Sequence, residues 1–345
     1  MKIALLAPFE ERVPPVKYGG TELIVYYLAN ILPKRGHKVF LFASGDSKTE
    51  SKLMPIFPKS IRAEPYAKNS KIREAVKYIG ISKVIKTLKE LDVDIIHNHI
   101  GWRFFPFTSF FPNPTVTTLH GPLDTEYGKF MHSWFKEQAL ISISNSQRMP
   151  LPNLNYAGTV YNGIDVNGFE FNSKPGDYFA FLGRMSPEKG PVQAIQIAKA
   201  AGVKLKMAAK VDASDATFFE KEVKPLIDNK QIEFLGEIES QEKSNFLKNA
   251  RGLIAPIQWA EPFGLFFVEA MACGTPVITM NRGSAPEVIK NGKTGFVLNN
   301  IEEATNAVNS IDKIKREDCR KWVEKNFSAE IMVENYEKIY HQLIK

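Results

Sequence analysis

The sequence is poor in cysteine and lacks long apolar runs. Its 345 residues include only Cys273 and Cys319, which match neither a disulfide framework nor a cysteine metal site. No apolar stretch approaches the roughly 18–20 residues that span a bilayer. Residues 1–8 have no basic start and no cleavage site, so a secretory signal is not predicted. These absences favour a cytoplasmic, metal-poor protein.

Two nucleotide-binding signatures are also missing. Neither G-x-G-x-x-G nor G-x-x-x-x-G-K-[ST] occurs, which argues against a dehydrogenase and a P-loop NTPase. The composition, 44% hydrophobic and 24% charged, is that of a soluble globular chain and excludes disorder. Because single hydrophobic cores stop growing near roughly 250–300 residues, the length predicts two domains.

The net charge of +7 is unevenly distributed. Residues 1–165 hold 21 basic and 14 acidic residues, whereas residues 166–345 hold 24 of each. The segment 48–89 alone has 11 basic and three acidic residues. It is either a solvated lysine-rich face or a surface for an anionic membrane or acceptor. No nucleic-acid-binding motif accompanies it, so nucleic acid is not expected.

Strand-like runs alternate with amphipathic stretches in both halves of the chain, which predicts an α/β fold with parallel sheets. Strands are predicted at residues 2–8, 38–43, 94–97, 115–119, 140–144, 178–183, 204–208, 232–235, 252–256 and 276–279. A helix capped by Thr21 and ending at Leu32 follows the first strand. In segment 72–88 the apolar residues follow helical spacing, with lysines on the other face.

These runs predict two Rossmann-like, doubly wound domains that face each other across a cleft. The N-terminal domain covers residues 1–165 and the C-terminal domain residues 166–327, with an interdomain linker at 166–176. A terminal helix at 328–345 is expected to pack back on the first domain. Ligands of such sheets bind beyond the carboxyl ends of the strands.

The segment 259–276 contains the sharpest chemical pattern. Glu261 precedes a predicted helix and Glu269 lies in its second turn. Between them Phe263, Gly264 and Leu265 offer backbone N–H groups at a helix N-terminus, an arrangement that binds anions. Two carboxylates beside such a cradle suit sugar and ribose hydroxyls. The alternative is that Glu261 is only a helix cap and Glu269 only a solvated residue.

Cations and glycines follow two other strands. Arg184 and Lys189 come after the strand at 178–183 and suit a pyrophosphate, although they are otherwise ordinary surface charges. Gly19 and Gly20 follow the first strand and offer amides to phosphates or to an acceptor, which alone is a weak signal. His120 ends the strand at 115–119, where an active-site residue of an α/β sheet belongs.

Nearly the whole chain, from Tyr18 to the region of Tyr336, resembles the family-4 retaining glycosyltransferases of the GT-B fold. The segments that carry the resemblance are Y-G-G-T-E at 18–22, G-R-M-S-P-E-K-G at 183–190, and E-P-F-G with E-A-M-A-C-G-T-P-V between 261 and 277. The resemblance implies a nucleotide-diphosphate sugar donor on the C-terminal domain and an acceptor on the N-terminal one. One departure is A-K-V-D at 209–212, where the family usually has a glycine-containing turn.

The resemblance also assigns roles to individual residues. Glu261 would contact the hydroxyls of the donor sugar, Glu269 the ribose, and His120 a sugar hydroxyl. Glu237 and Ile238 are expected in the loop that contacts the base. The implied reaction retains the anomeric configuration by front-face attack, with domain closure, and its catalytic residues are Glu261 and His120.

The remaining candidates lie on the acceptor side. His97 and His99, two residues apart, would share one face of a strand end, but no third ligand completes a metal site. Arg148 is a further acceptor-side candidate. Asp92-Val93-Asp94 stands before its strand, at the wrong edge for a ligand, and is interpreted as a connector. No metal and no cofactor are expected, with the nucleotide-diphosphate sugar as co-substrate.

The predicted function is metal-independent transfer of a hexose, from a UDP-glucose-type or GDP-mannose-type donor, to a hydroxyl acceptor. The acceptor is a saccharide, a lipid-linked saccharide or a small metabolite, in surface polysaccharide, lipopolysaccharide or glycolipid synthesis. A cytoplasmic protein is expected. Its basic segment 48–89 would allow it to bind the inner face of the membrane. Alternatives are a small-metabolite glycosyltransferase, a phosphorylase or epimerase of the same fold, and a nucleotide-sugar-binding protein without transferase activity.

Overall fold

The computed structural model describes residues 1–16 and 19–344 and divides the chain into two compact units. The first comprises Met1–Gly163 with Ala329–Lys345, and the second comprises Ile164–Ser328. The sequence places these boundaries after residues 165 and 327. Tyr18, which opens the family-like segment, and Lys345, the last residue of the predicted terminal helix, lie outside the described residues.

The first unit contains a parallel sheet of seven strands in the order β3-β2-β1-β4-β5-β6-β7. In chain order they are β1 (Lys2–Leu6), β2 (Lys38–Ala43), β3 (Lys52–Pro55), β4 (Ile95–Asn98), β5 (Thr115–Thr118), β6 (Ala139–Ser142) and β7 (Tyr156–Thr159). The strand order reverses between β1 and β4, where parallel α/β sheets open a crevice for ligands. The carboxyl ends of β1 and β4 therefore mark the place at which to look for function.

The first helices of this unit are α1 (Gly20–Ile31), α2 (Ser70–Lys89), α3 (Glu126–Trp134) and α4 (Asn145–Arg148). The predicted start of α1 was wrong, because Gly19 rather than Thr21 is the capping residue, and the helix ends at Ile31. The predicted burial of α2 was also wrong in part. Ile72 and Ile79 are 46% and 54% exposed, and the buried face is formed by Gly80, Ile81, Val84 and Leu88.

The second unit contains a parallel sheet of six strands in the order β10-β9-β8-β11-β12-β13. They are β8 (Tyr178–Arg184), β9 (Lys204–Lys210), β10 (Ile232–Gly236), β11 (Ala250–Ala255), β12 (Val277–Met280) and β13 (Gly295–Leu298). The order reverses between β8 and β11, which are neighbours although about 70 residues separate them in the chain. Residues that follow these two strands are therefore brought to one edge of the sheet.

The helices of the second unit are α5 (Pro191–Ala200), α6 (Ala216–Phe218), α7 (Ser240–Lys248), α8 (Leu265–Ala272), α9 (Ala285–Val288), α10 (Ile301–Val308) and α11 (Arg316–Asn326). The interpretation of residues 166–176 as a linker was wrong. The amide of Asn172 donates to the carbonyl of Cys273 at 3.2 Å, and that of Gly176 donates to Asn249 at 2.8 Å. The segment is therefore an integral part of the second unit.

The terminal helix α12 (Ala329–Leu343) belongs to the first unit. Tyr336 and Tyr340 are fully buried, and Glu337 pairs with Arg35 at 2.5 Å and with His37 at 2.6 Å. Burying two tyrosines demands partners for their hydroxyl groups. Across the part of the chain that is described, no helix combines the length and apolarity needed to cross a bilayer.

Candidate active site

Glu261 lies in the loop that leaves β11 and precedes α8. Its side chain is almost completely buried, and it pairs with the ammonium group of Lys189. The indole Nε1 of Trp259 donates a second hydrogen bond to the same carboxylate oxygen at 3.0 Å. A buried carboxylate requires such partners, since an unpaired buried charge is strongly unfavourable.

Lys189 reaches Glu261 from the turn that follows β8. Its ammonium nitrogen lies 5.3 Å from the ring centroid of Trp259 and 4.8 Å from that of Phe266, distances typical of cation–π contacts. The two charged groups meet because β8 and β11 are adjacent in the sheet. The sequence predicts both in a donor site, but the pairing between them and the contribution of Trp259 follow only from the fold.

The helix α8 begins directly after this loop. Gly264 caps it with a φ of +80°, and a Cβ there would lie 2.5 Å from the ring of Phe267. The glycine is therefore required for the turn. Leu265 is the first residue of the helix, so the N–H groups of the first turn form the end that favours anions. The side chain of Phe263 is buried against Phe327, so only its backbone is available to such a site.

Glu269 projects from the second turn of α8 and is 4% exposed. Lys243 of α7 donates to it at 2.8 Å. Lys243 is absent from the sequence predictions, because a lysine on a predicted helix resembles any exposed lysine until the neighbouring helix is known. The Glu269 carboxylate is thus also held by a cation from another element.

Arg184, the last residue of β8, is surrounded by carboxylates. Its guanidinium pairs with Glu188 and lies 3.8 Å from both Asp212 and Asp215. Lys210, at the end of β9, also pairs with Asp212, at 2.7 Å. A phosphate would have to replace these carboxylates around Arg184, which the sequence did not predict.

Glu237 and Ile238 follow β10 at the same edge of the sheet. Glu237 is exposed and Ile238 is half-buried. Because β10 is the edge strand and lies beyond β9, this loop is two strands away from the end of β8. The structure brings Lys189 to Glu261.

In the first unit, His97, His99 and His120 form a chain. His99 Nδ1 lies 2.8 Å from His120 Nε2, and His99 Nε2 lies 3.3 Å from His97 Nδ1. Burial lowers the pKa of His97 to about 3 and that of His120 to about 4. Burial also lowers the pKa of His99 well below its ordinary value, with repulsion from its two neighbours adding to the effect. All three rings are therefore neutral near pH 7.

Gly19 and Gly20 lie at the start of α1, beside a buried carboxyl group that the sequence did not single out. A Cβ on Gly19 would lie 2.7 Å from Pro15 and 3.0 Å from the carboxyl group of Glu22. Glu22 is 6% exposed, and this burial raises its pKa to about 7. The crowding around Gly19 explains the need for glycine at this position.

The other acceptor-side and metal candidates are held by structural contacts. Arg148 donates to Ser142 Oγ at 2.7 Å and lies over the ring of Tyr156. Asp94 accepts the backbone N–H of Lys2 at 2.7 Å, at the amino end of β1. Within the described ranges, no three histidine, cysteine or acidic side chains are arranged to hold a metal ion.

Comparison with known proteins covers both units. Residues 18–167 match the family described as Glycosyltransferase Family 4, and residues 167–328 match the one described as Glycosyl transferases group 1. An uncharacterized glycosyltransferase of Methanocaldococcus jannaschii is 24% identical over 96% of this chain and 97% of its own length. The phosphatidyl-myo-inositol mannosyltransferase of Mycobacterium tuberculosis is 25% identical over 86% of this chain and 82% of its own.

A solved structure shows the same fold. The Anabaena protein HepE, crystallised with UDP and glucose, superimposes with a TM-score of 0.76 at 20% identity. The superposition covers 99% of this chain and 100% of that one. At this identity the likeness concerns the arrangement of helices and strands in the two parallel-sheet units.

Proposed function

The chain belongs to the glycosyltransferases, with a family 4 N-terminal part, a group 1 C-terminal part and the GT-B fold, and from this premise we propose its reaction. It transfers a hexose from a UDP- or GDP-linked donor to a hydroxyl acceptor, with retention of configuration and without a metal. The observation that carries the proposal is the buried Lys189–Glu261 pair at the adjoining ends of β8 and β11. The UDP bound by HepE and the mannosyl transfer named for the mycobacterial relative support the donor class.

The residues of the second unit suit the parts of such a donor. The Glu261 carboxylate accepts hydrogen bonds from sugar hydroxyls, and Glu269 accepts them from the ribose. Lys189 and the first amides of α8 face the diphosphate, which carries two negative charges or more. Arg184 joins them where a phosphate replaces its carboxylate partners. Fixed positive groups aimed at a leaving diphosphate stabilise the transition state most where they need no rearrangement during the reaction.

The proposed step needs no covalent intermediate. The bond between the anomeric carbon and the diphosphate oxygen breaks, and the acceptor oxygen bonds to the same face of that carbon. The hydroxyl proton passes to the departing phosphate oxygen. Lys189 stabilises the charge that develops on this phosphate. His120, in the first unit, accepts a hydrogen bond from a substrate hydroxyl.

Release of nucleotide diphosphate from labelled UDP- and GDP-sugars tests the proposal. The wild type should release it in the presence of a suitable saccharide, and Glu261→Ala should not. Glu233→Ala is the matched control, since Glu233 also pairs with a lysine of the second unit, at 3.2 Å, but is more exposed. Failure to bind any sugar nucleotide would refute the proposal. Tight binding without turnover would favour a nucleotide-sugar-binding protein.

Ion pairs with residues outside the basic segment 48–89 offset part of its positive charge. Glu10 and Glu11, which lie outside the segment, pair with three of its cations: Arg73 at 2.8 Å, Lys77 at 2.7 Å and Arg62 at 3.1 Å. Much of the excess positive charge therefore remains on lysines that are exposed. The exposed lysines of the segment are Lys48, Lys52, Lys59, Lys68, Lys71, Lys83, Lys86 and Lys89.

An aromatic face of α3 adjoins this segment. Phe130 and Trp134 are 58% and 70% exposed. Tyr127 packs edge-on against Trp102 at 4.8 Å, and the neighbouring Arg103 pairs with Glu74 of α2 at 2.6 Å. Aromatic side chains beside lysines are typical of surfaces that lie in the interface of an anionic bilayer. We therefore propose that this face and the exposed lysines bind an anionic membrane.

Co-sedimentation with vesicles tests the membrane proposal separately from catalysis. Anionic vesicles should retain the wild type, and neutral ones should retain less. Trp134→Ser should weaken binding, whereas Leu235→Ser, at a 41% exposed leucine of the second unit, should not. Equal binding to neutral and anionic vesicles, or none to either, would contradict the proposal.

A further inference from the structure

A hydrogen-bonded chain connects the terminal helix α12 to the carboxyl ends of β4 and β5. The Tyr340 hydroxyl lies 2.6 Å from His97 Nδ1, and His97 Nε2 lies 2.8 Å from Thr118 Oγ1. Thr118 in turn donates to the Tyr336 hydroxyl at 3.2 Å. The proposed reaction does not use either tyrosine, although both are fully buried.

From these contacts we infer that Tyr340 is a positioning residue that, together with Thr118, sets which nitrogen of His120 carries the proton, acting through His97 and His99. The His120 ring, only partly buried, then has its proton on Nε2 and a bare lone pair on Nδ1. Such a nitrogen accepts a hydrogen bond from a ligand hydroxyl and cannot donate one. Only the identity of that hydroxyl, as part of a substrate, rests on the proposed function.

The state of His97 follows from its two hydroxyl partners. A separation of 2.6 Å is short for an N–H donor and suits an O–H donor, so Tyr340 donates to His97 Nδ1. Thr118 gives its only proton to Tyr336, so its oxygen accepts a hydrogen bond from His97 Nε2. Both contacts place the single proton of a neutral His97 on Nε2 and leave Nδ1 unprotonated.

The other two rings follow in turn. The single lone pair of His97 Nδ1 accepts from Tyr340, and His99 Nε2 lies 3.3 Å from the same nitrogen. A lone pair on His99 Nε2 would be repelled there, whereas an N–H group shares the His97 lone pair as a second, longer donor, so His99 carries its proton on Nε2. His99 Nδ1 is then the acceptor of the 2.8 Å contact, and His120 Nε2 is the donor. These proton positions require three neutral rings, and the pKa values of all three histidines are lowered accordingly.

The unmodified protein provides the first test. Long-range ¹H–¹⁵N correlation spectra of ¹⁵N-histidine-labelled protein at pH 7 distinguish the two neutral forms of each ring. Single histidine-to-glutamine variants assign the signals of the chain's six histidines. We expect His97, His99 and His120 all to carry the proton on Nε2. A proton on His120 Nδ1 would overturn the inference, whatever the protein's activity.

A pair of variants provides the second test. Tyr340→Phe removes only the hydroxyl that donates to His97, and the matched Tyr336→Phe removes a hydroxyl that contacts Thr118 instead. We expect a mixture of both proton positions at His120 in both variants, because without the Tyr336 hydroxyl the Thr118 proton is free to be donated to His97 Nε2. An unchanged His120 signal in folded Tyr340→Phe would overturn the inference. If Tyr340→Phe does not fold, the wild-type spectrum still decides.

The same variants separate this inference from the proposed function. If both hold, Tyr340→Phe should lower kcat for sugar transfer about twofold or more, because only part of the molecules present the bare nitrogen. If the signals behave as expected but no sugar nucleotide is used, the proposed function fails and the proton assignment stands. If transfer occurs but His120 carries its proton on Nδ1, only the proton assignment fails.

Discussion

The two units hold their candidate residues by opposite electrostatic means. In the second unit the side chains are charged and paired, Lys189 with Glu261 and Lys243 with Glu269. In the first unit His97 and His99 are buried, His120 is partly buried, and all three rings are neutral near pH 7. Fixed charges suit a ligand that carries charge, and neutral rings suit hydroxyl groups. The contrast therefore supports a diphosphate in the second unit and hydroxyl recognition in the first.

The largest expected effect comes from removing one cation of the second unit. Lys189→Met should lower the rate of transfer by about 100–1000-fold, because the leaving diphosphate loses a fixed charge and Glu261 loses its partner. Initial rates of nucleotide diphosphate release measure this. Lys204→Met is the control, since Lys204 pairs with an exposed aspartate, Asp177. If both variants lost the same fraction of the transfer rate, the charged pair of the candidate site would matter no more for the reaction than an exposed pair elsewhere.

The neutral histidines of the first unit should make folding sensitive to acid. Their ordinary pKa is about 6.5 in the unfolded chain, whereas in the folded chain that of His120 is about 4 and that of His97 about 3. The unfolded state therefore takes up more protons as the pH falls from 6.5 to 4, so stability decreases. The slope is about 1.4 kcal/mol per pH unit for each histidine. Urea unfolding at pH 7, 6 and 5 measures it, and His120→Asn should reduce the slope.

Glu22 should act in the opposite direction within the same unit. Its pKa is about 7 in the folded chain and 4.5 ordinarily, so the folded state holds the extra proton between these values. Stability from this group is present below pH 4.5 and is lost as the pH rises to 7. Glu22→Gln should therefore steepen the loss of stability on acidification. If the urea midpoints of the wild type and of Glu22→Gln did not change between pH 5 and pH 7, the opposite effects of Glu22 and the histidines on stability would be contradicted.

The smallest effect concerns the backbone of the site. Gly264→Ala should lower the free energy of unfolding by more than about 1–2 kcal/mol, since the backbone conformation at a φ of +80° costs that much and the close contact with Phe267 adds to it. Gly292, with a φ of +73° and open space around it, is the matched control. Similar losses in the two alanine variants, measured by urea unfolding, would show that contact with Phe267 adds nothing to the cost of the backbone conformation.

The α/β fold class could be predicted from the sequence because strand-like and helix-like stretches alternate in both halves of the chain. Three strands, β3, β7 and β13, were missed, since their short runs carry little apolar signal. The linker at 166–176 was misassigned because proline and glycine mark a turn equally well inside a domain. Burial of α2 was misjudged because Ile72 and Ile79 fall close to the helical spacing without lying on the buried face.

Of the site, the sequence predicted the residues but not their partners. Glu261 and Lys189 were recognised from local motifs, and local motifs cannot show that two strands distant in the chain are neighbours. Trp259 lies in the segment 259–276 that the sequence singles out, but its contact with Glu261 was not predicted. The contacts of Lys243 with Glu269 and of Tyr340 with His97 were likewise found only in the structure.

Calorimetric titration with UDP and GDP tests the central claim most directly, namely that paired charges of the second unit bind a nucleotide diphosphate. One of the two nucleotides should bind at a single site per chain. Lys189→Met should weaken this binding about tenfold or more, and Lys204→Met should leave it unchanged. Binding that Lys189→Met does not alter, or no binding of either nucleotide, would contradict the account.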